Sequence, residues 1–328
     1  MQPPTCINHL MVLTTHPPPS PPWLPPTTPP ILLLSTLGLI ILIKHFTIFL
    51  NWVFVNFLRP PKNLLHNYGT WALITGATDG IGKAFAHQLA HKGLNLILVS
   101  RNRNKLETVS RELQSEFPNI NIMTVEFDFS TINGAGLIEE AVDGVEVGVL
   151  INNVGITYPK AMFFDEVDEK IWMDIVRVNL EGTTRVTKAV LKGMLRRKKG
   201  AIVNIGSGAA IVVPSHPLYA IYAATKAYVD QLSRSLNVEY KRCGIHVQCQ
   251  VPLYVATKMA SKVASIERPS LFTPSPEDYA VAAIRRIGYE PFCTPYWAHS
   301  LQWCFARMLP EAVLDAWRLS IGIRRRRN

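Results

Sequence analysis

The 328-residue chain is poor in cysteine, and its five (Cys6, Cys243, Cys249, Cys293 and Cys304) are odd in number, scattered and without metal-type spacing. That excludes a disulfide scaffold and fits a reducing compartment in which each thiol serves as a small apolar residue. Acidic residues are missing before Asp79, lysine before Lys44 and arginine before Arg59. Only 18% of the chain is charged against 48% apolar, so wholesale disorder is excluded and a sizeable core is available. The charge present leans basic, 34 Lys and Arg against 24 Asp and Glu, a formal +10. Two clusters carry part of the excess, Arg196-Arg197-Lys198-Lys199 and Arg324-Arg325-Arg326-Arg327. Such clusters suit anionic lipid headgroups as well as nucleic acid, but no nucleic-acid motif accompanies them.

What precedes Asp79 is not core material. Eleven of the first thirty residues are proline, which predicts a disordered, extended tail over 1–30. An apolar stretch follows over 31–58, interrupted mainly by Lys44, His45, Asn51 and Asn56. As a helix it would reach about 42 Å, longer than the roughly 30 Å hydrocarbon core of a bilayer. A tilted membrane anchor is expected, with a short hairpin, an interfacial helix or a helix buried in a soluble partner as alternatives, because Lys44 must snorkel. Arg59 and Lys62 follow the stretch, which puts the bulk of the chain in the cytosol by the positive-inside rule. A cleaved secretory signal is not expected, since no charged region opens the chain, and a transit peptide would be rich in arginine.

From Tyr68 onward β-type runs at 71–75, 95–100, 121–127, 147–153, 201–206 and 245–251 alternate with helical patterns, which predicts an α/β fold with a doubly wound parallel sheet. The first run passes directly into Thr75-Gly76-Ala77-Thr78-Asp79-Gly80-Ile81-Gly82 and then a helical pattern. Glycines there let a phosphate approach backbone N–H groups at a helix N-terminus. An enzyme selecting NAD would carry an acid at the end of the second strand, but none occurs between Gly80 and Leu106; Arg101 stands there instead, suited to a 2′-phosphate.

The chemistry lies further on. Tyr222 and Lys226, four apart in a helical pattern, share a face, and an ammonium beside a phenol is expected to lower its pKa. Ser207 ends the preceding strand and can join Tyr222 at one carbonyl oxygen. A second copy of the pair, Tyr254 and Lys258, follows Pro252 in a loop where the two need not share a face, so Tyr222 is preferred.

Thr75-Gly76-x-x-x-Gly80-x-Gly82, Asn152-Asn153-Val154-Gly155, Asn179, Ser207 and Tyr222-x-x-x-Lys226 occur in the order seen in short-chain dehydrogenases/reductases, and over roughly 68–258 the chain resembles that family. The membrane segment and the run Val251-Pro252-Leu253-Tyr254-Val255-Ala256-Thr257-Lys258-Met259 resemble the branch of 3-oxoacyl-CoA reductases and 17β-hydroxysteroid dehydrogenases, most of all the plant very-long-chain reductases of microsomal fatty-acid elongation. The resemblance implies a Rossmann domain over 68–295 and NADPH as cofactor, held by Gly76, Thr78, Asp79, Gly80, Ile81, Gly82, Arg101, Asp128, Asn153, Gly155, Tyr222 and Lys226. Tyr222 would protonate the substrate oxygen, Ser207 would hydrogen-bond to it, Lys226 would lower the Tyr222 pKa and hold the ribose, and Asn179 would anchor a relay water. Asp128 would approach the adenine.

By the same resemblance the substrate is a long-chain acyl-CoA and the setting the endoplasmic-reticulum membrane, with elongase enzymes as partners and homo-oligomerisation allowed; a 17-oxosteroid reductase and a weakly active elongase scaffold are the alternatives. Ser207 and Tyr222 are 15 apart, slightly more than is usual, and Leu253 stands where many members have glycine. No metal is expected, since His87 and His91 lack a third ligand. The segment 296–328 reads as amphipathic and basic, lying either on the membrane or on the sheet.

Overall fold

The computed structural model describes residues 29–131 and 136–327; the tail expected over 1–30 lies outside the described residues as far as residue 28. The chain divides into two units between Leu58 and Arg59. The first is α1 (Pro29–Val53), continued by a π-helical turn, Phe54–Leu58. Ile31–Leu58 is long and apolar enough to cross a membrane, and none of its most apolar stretch is buried. Its polar side chains turn back on their own backbone: Ser35 Oγ donates to Ile31 O (2.6 Å), Thr47 Oγ1 to Ile43 O (2.8 Å) and Asn56 Nδ2 to Trp52 O (2.8 Å). Polar groups so satisfied suit apolar surroundings.

The second unit opens with α2 (Leu64–Tyr68), followed by β1 (Trp71–Thr75), α3 (Gly80–His91), β2 (Asn95–Ser100), α4 (Arg103–Glu116), β3 (Ile122–Glu126), α5 (Gly136–Val142) and β4 (Val147–Asn152). Next come α6 (Glu169–Val176), α7 (Thr183–Arg197), β5 (Gly200–Ile205), α8 (Gly208–Ile211), α9 (Ala220–Tyr240) and β6 (Ile245–Gln250). It ends with α10 (Lys258–Ala264), α11 (Pro276–Ile284), β7 (Phe292–Cys293), α12 (Trp297–Ala306) and α13 (Glu311–Arg327). The strands pair in parallel in the order β3-β2-β1-β4-β5-β6-β7. All six expected strands are present, each end within one residue of its predicted position; β7, two residues long, was not foreseen.

The strand period of two divides the core between the sheet's faces. Ala72, Ile74, Leu96, Leu98, Val149 and Ile151 pack with Phe85, Leu89 and Tyr279 from α3 and α11. Their neighbours Leu73, Ile97, Val99 and Leu150 pack with Val186, Val190 and Met194 from α7. Strand order reverses between β1 and β4, so the crevice at their C-terminal ends is where this architecture receives a ligand.

The unit's first residues are pinned. Arg59 forks onto Glu290 (2.5 and 2.9 Å) and lies 3.8 Å over the Tyr289 ring, Lys62 Nζ donates to Gly288 O (2.6 Å), and Tyr289 OH donates to Pro60 O (2.7 Å). At the other end of the chain α12 and α13 belong to the same unit, with Ala298, His299, Leu314 and Arg318 buried.

Candidate active site

The crevice begins at the glycine turn. Gly76 has φ +66°, open to glycine at little cost, and at Gly82 a Cβ would run into the Gly76 carbonyl and the Asn153 side-chain amide. Thr75 and Asn153 hold the turn shut from opposite sides. Thr75 Oγ1 accepts from the Asn153 and Val154 N–H groups (3.0 Å each), and Asn153 Nδ2 donates to Thr75 O (3.0 Å) and Gly76 O (3.3 Å). Asn153 therefore braces the turn. Asp79 caps α3 by accepting from Gly80 N (2.9 Å) and pairs with Lys258 Nζ (2.7 Å), which holds its carboxyl below the usual range despite the opposing effect of burial.

Thr78 Oγ1 meets Ser100 Oγ at 3.0 Å, at the end of β2. Just beyond, Arg101 is exposed and without an ion-pair partner among the described residues. A cleft of about 320 Å³ runs between the turn and α4, lined among others by Thr78, Asp79, Asn104, Lys105 and Lys258. Asp128 Oδ1 accepts from Ser130 N and Oγ (2.9 and 2.8 Å), rigidifying the turn after β3. Glycines at the turn, an α3 N-terminus and a free guanidinium at the end of β2 together fit a phosphorylated dinucleotide.

Around the ends of β4 and β5 the remaining expected residues converge. The helix leading into α7 carries a π-helical segment, Arg177–Gly182, and such an insertion commonly marks a functional site. It presents Asn179, whose Oδ1 accepts from Ile156 N (2.8 Å) and whose Nδ2 donates to Ile156 O (2.9 Å) and Thr225 Oγ1 (3.1 Å). A Cβ built on Gly155 would lie 3.4 Å from both Asn179 Oδ1 and Lys226 Nζ, so these three residues are neighbours. Lys226, 5% exposed, donates from Nζ to Ile205 O (2.8 Å).

Ser207 caps α8 and stands beside the Tyr222 side chain, so the long Ser–Tyr spacing is taken up by α8 and the loop after it. One expectation needs correcting. Tyr222 is not acidified here: burial raises its pKa, and the neighbouring Ser207 offsets that only in part. Lys226 is itself pushed down to about 8 by burial and directs its ammonium at the end of β5. The physical reason is shared desolvation, which penalises both charged forms.

A family profile described as short chain dehydrogenase matches residues 70–268. The chain belongs to the short-chain dehydrogenase family. A very-long-chain 3-oxoacyl-CoA reductase-like protein of Arabidopsis thaliana is 64% identical over 277 residues, 84% of this chain and 88% of the relative. An inactive hydroxysteroid dehydrogenase-like protein 1 of Homo sapiens is 42% identical over 260 residues, 79% of this chain and 78% of the relative. Among solved structures, a short-chain dehydrogenase from Sphingobium yanoikuyae in complex with NADPH is 28% identical, with TM-score 0.62 over 76% of this chain and 94% of that one.

Several residues of this short-chain dehydrogenase site escape a reading of sequence. Thr75 entered the glycine motif without a role of its own and Thr225 signals nothing by type, yet they brace Asn153 and Asn179. Tyr158 OH accepts from Ile221 N (3.1 Å) at the start of α9, one residue before Tyr222. His87 and His91 sit against the Phe117 ring, and His87 faces Glu116 (2.9 Å). Arg197 is spent on Val147 O (2.6 Å) at the foot of β4.

Proposed function

We propose that this short-chain dehydrogenase reduces very-long-chain 3-oxoacyl-CoA to 3-hydroxyacyl-CoA with NADPH, as the first reduction of fatty-acid elongation. The observation that carries the reading is Ser207 beside the Tyr222 side chain, with buried Lys226 one helical turn away. Gly76, Gly80, Gly82 and Arg101 would hold the cofactor's phosphates, and Gly155 and Lys226 its nicotinamide ribose. NADPH supplies the hydride when bound.

Ser207 donates a hydrogen bond to the substrate's 3-oxo oxygen and fixes it against Tyr222. Tyr222 gives that oxygen its phenolic proton as charge develops there. A raised Tyr222 pKa keeps the acid protonated through the neutral range, the state that reduction needs. Lys226, pushed down to about 8, returns a proton towards Tyr222 through the Asn179 region. Substrate class is carried by the name of the Arabidopsis relative, and the 31–58 helix would anchor the enzyme in the endoplasmic-reticulum membrane with its catalytic unit in the cytosol.

The human relative, named inactive, favours one rival reading, a weakly active homologue serving as scaffold in the elongase assembly. Membranes carrying the full chain, offered a long-chain 3-oxoacyl-CoA and a 17-oxosteroid separately, decide by NADPH oxidation. Thioester turnover that falls at least about a thousandfold in Tyr222→Phe is expected. NADPH binding without turnover would establish the scaffold, and steroid turnover alone the other ketone reductase.

A further inference from the structure

The second tyrosine–lysine pair is not idle. Tyr254 lies in the turn after β6, beside the catalytic groups: Gly208 N donates to Pro252 O (2.9 Å), and a Cβ built on Gly208 would sit 3.2 Å from Leu253 Cγ. The two C-terminal helices hold this turn. From α12, His299 accepts at Nδ1 from Leu253 N (3.3 Å) and donates from Nε2 to Tyr254 O (3.1 Å). Burial keeps that imidazole neutral, pushed down to about 4. From α13, Arg325 Nη1 donates to the Tyr254 hydroxyl (2.9 Å), and Arg318 lies close to the same oxygen.

The charge here is lopsided. Arg318 is 7% exposed, its Nε has no partner, and no carboxylate lies within 4.0 Å of Arg318 or Arg325 among the described residues. Arg318 Nη2 instead donates to the His216 ring (3.0 Å), which burial and the two arginines push down to about 3. A buried guanidinium without a counter-ion is costly unless its field is used. Here that field falls on one phenol, whose oxygen accepts from Arg325 with Arg318 close by, while its O–H has no acceptor among the described residues.

We propose that Tyr254 is a second substrate-binding donor, its O–H directed to the thioester carbonyl oxygen of the 3-oxoacyl substrate while Ser207 and Tyr222 hold the 3-oxo oxygen. Arg318 and Arg325 are positioning residues that polarise this donor. The arginines also draw the Tyr254 pKa below that of an ordinary phenol, against the effect of burial, which makes it the stronger hydrogen-bond donor. A 3-oxoacyl thioester carries two carbonyl groups separated by one carbon, and two neighbouring phenols match them. A plain ketone offers only one. The inference rests on the function proposed above and names how its substrate class is chosen.

The test compares kcat/KM of the full-length protein in membranes for a long-chain 3-oxoacyl-CoA and for a long-chain ketone lacking the thioester. Tyr254→Phe is expected to lower the thioester value about ten- to a hundredfold and the ketone value less than about threefold. Arg325→Gln should act in the same direction more weakly, with Arg325→Lys recovering part of the loss. Tyrosinate absorbance, taken as the difference between wild type and Tyr254→Phe, should show one tyrosine ionising early and returning towards ordinary values in Arg325→Gln. Equal losses on both substrates, or none, overturn the inference while wild-type thioester turnover leaves the proposed function standing. A wild type that reduces the ketone and not the thioester overturns the function itself, and this inference with it.

Discussion

Replacing Lys226 with methionine should make the stability of the protein less dependent on alkaline pH, and the size of the change follows from burial. Lys226 is 5% exposed, and burial lowers its pKa from 10.5 to about 8. Below pH 8 the amine is charged in both folded and unfolded chains, so the folded state carries the whole cost of the buried cation. Between about 8 and 10.5 the folded chain has released this proton while the unfolded chain still binds it. Stability therefore rises with pH across that window and levels off above it. At about 1.4 kcal/mol per pH unit the window is worth about 3 kcal/mol. The methionine variant has no such group, so the wild-type stability should gain about 2–3 kcal/mol on that of the variant between pH 7 and pH 10. The lost hydrogen bond to Ile205 O sets the offset between the two curves and not their relative slope. Other groups that titrate at alkaline pH are common to both proteins and cancel in the difference. Urea unfolding of the full chain in detergent micelles without cofactor, followed by circular dichroism at pH 7, 8.5 and 10, measures it. Parallel curves for the two proteins would refute the argument that Lys226 is held against a desolvation cost.

The remaining expectations concern the cofactor crevice. Gly82→Ala forces a methyl against the Gly76 carbonyl and the pinned Asn153 amide, so it should destabilise by about 1–3 kcal/mol and abolish NADPH binding, read by thermal melting and nucleotide fluorescence. Gly136→Ala, whose Cβ would meet nothing nearer than 3.9 Å, is the control and should leave both unchanged. Arg101→Ala should raise KM for NADPH about tenfold or more and leave that for NADH nearly unchanged; an equal effect on both would remove Arg101 from 2′-phosphate recognition.

The sheet was legible because most of its strands are buried on both faces and read as continuous apolar runs, as in Ala72-Leu73-Ile74 and Leu96-Ile97-Leu98-Val99. The two-residue β7 gave no run long enough to notice. Ser207, Tyr222 and Lys226 were legible because one strand end and one helix turn fix their relation locally. Asn153 and Asn179 were legible by position, while the bracing they provide depends on Thr75 and Thr225, residues 78 and 46 positions away. Nothing in a linear reading brings Arg318 and Arg325 to Tyr254, because α13 follows that turn only after a long intervening stretch, Arg325 being 71 positions away.

The direction of the Tyr222 shift escaped for a different reason. A helical spacing of four places two side chains on one face, but it says nothing of the dielectric around them. With both groups buried, desolvation dominates: the phenol is raised and the amine lowered, so each drifts towards its neutral form. For a carbonyl reductase that is the useful state. A neutral phenol still owns the proton that the substrate oxygen must receive, and an amine near pH 8 can recharge it without a large uphill step. Under the proposed function, the same burial that costs stability at Lys226 fits the site to reduction, and the pH dependence of folding and of turnover should bend over the same interval.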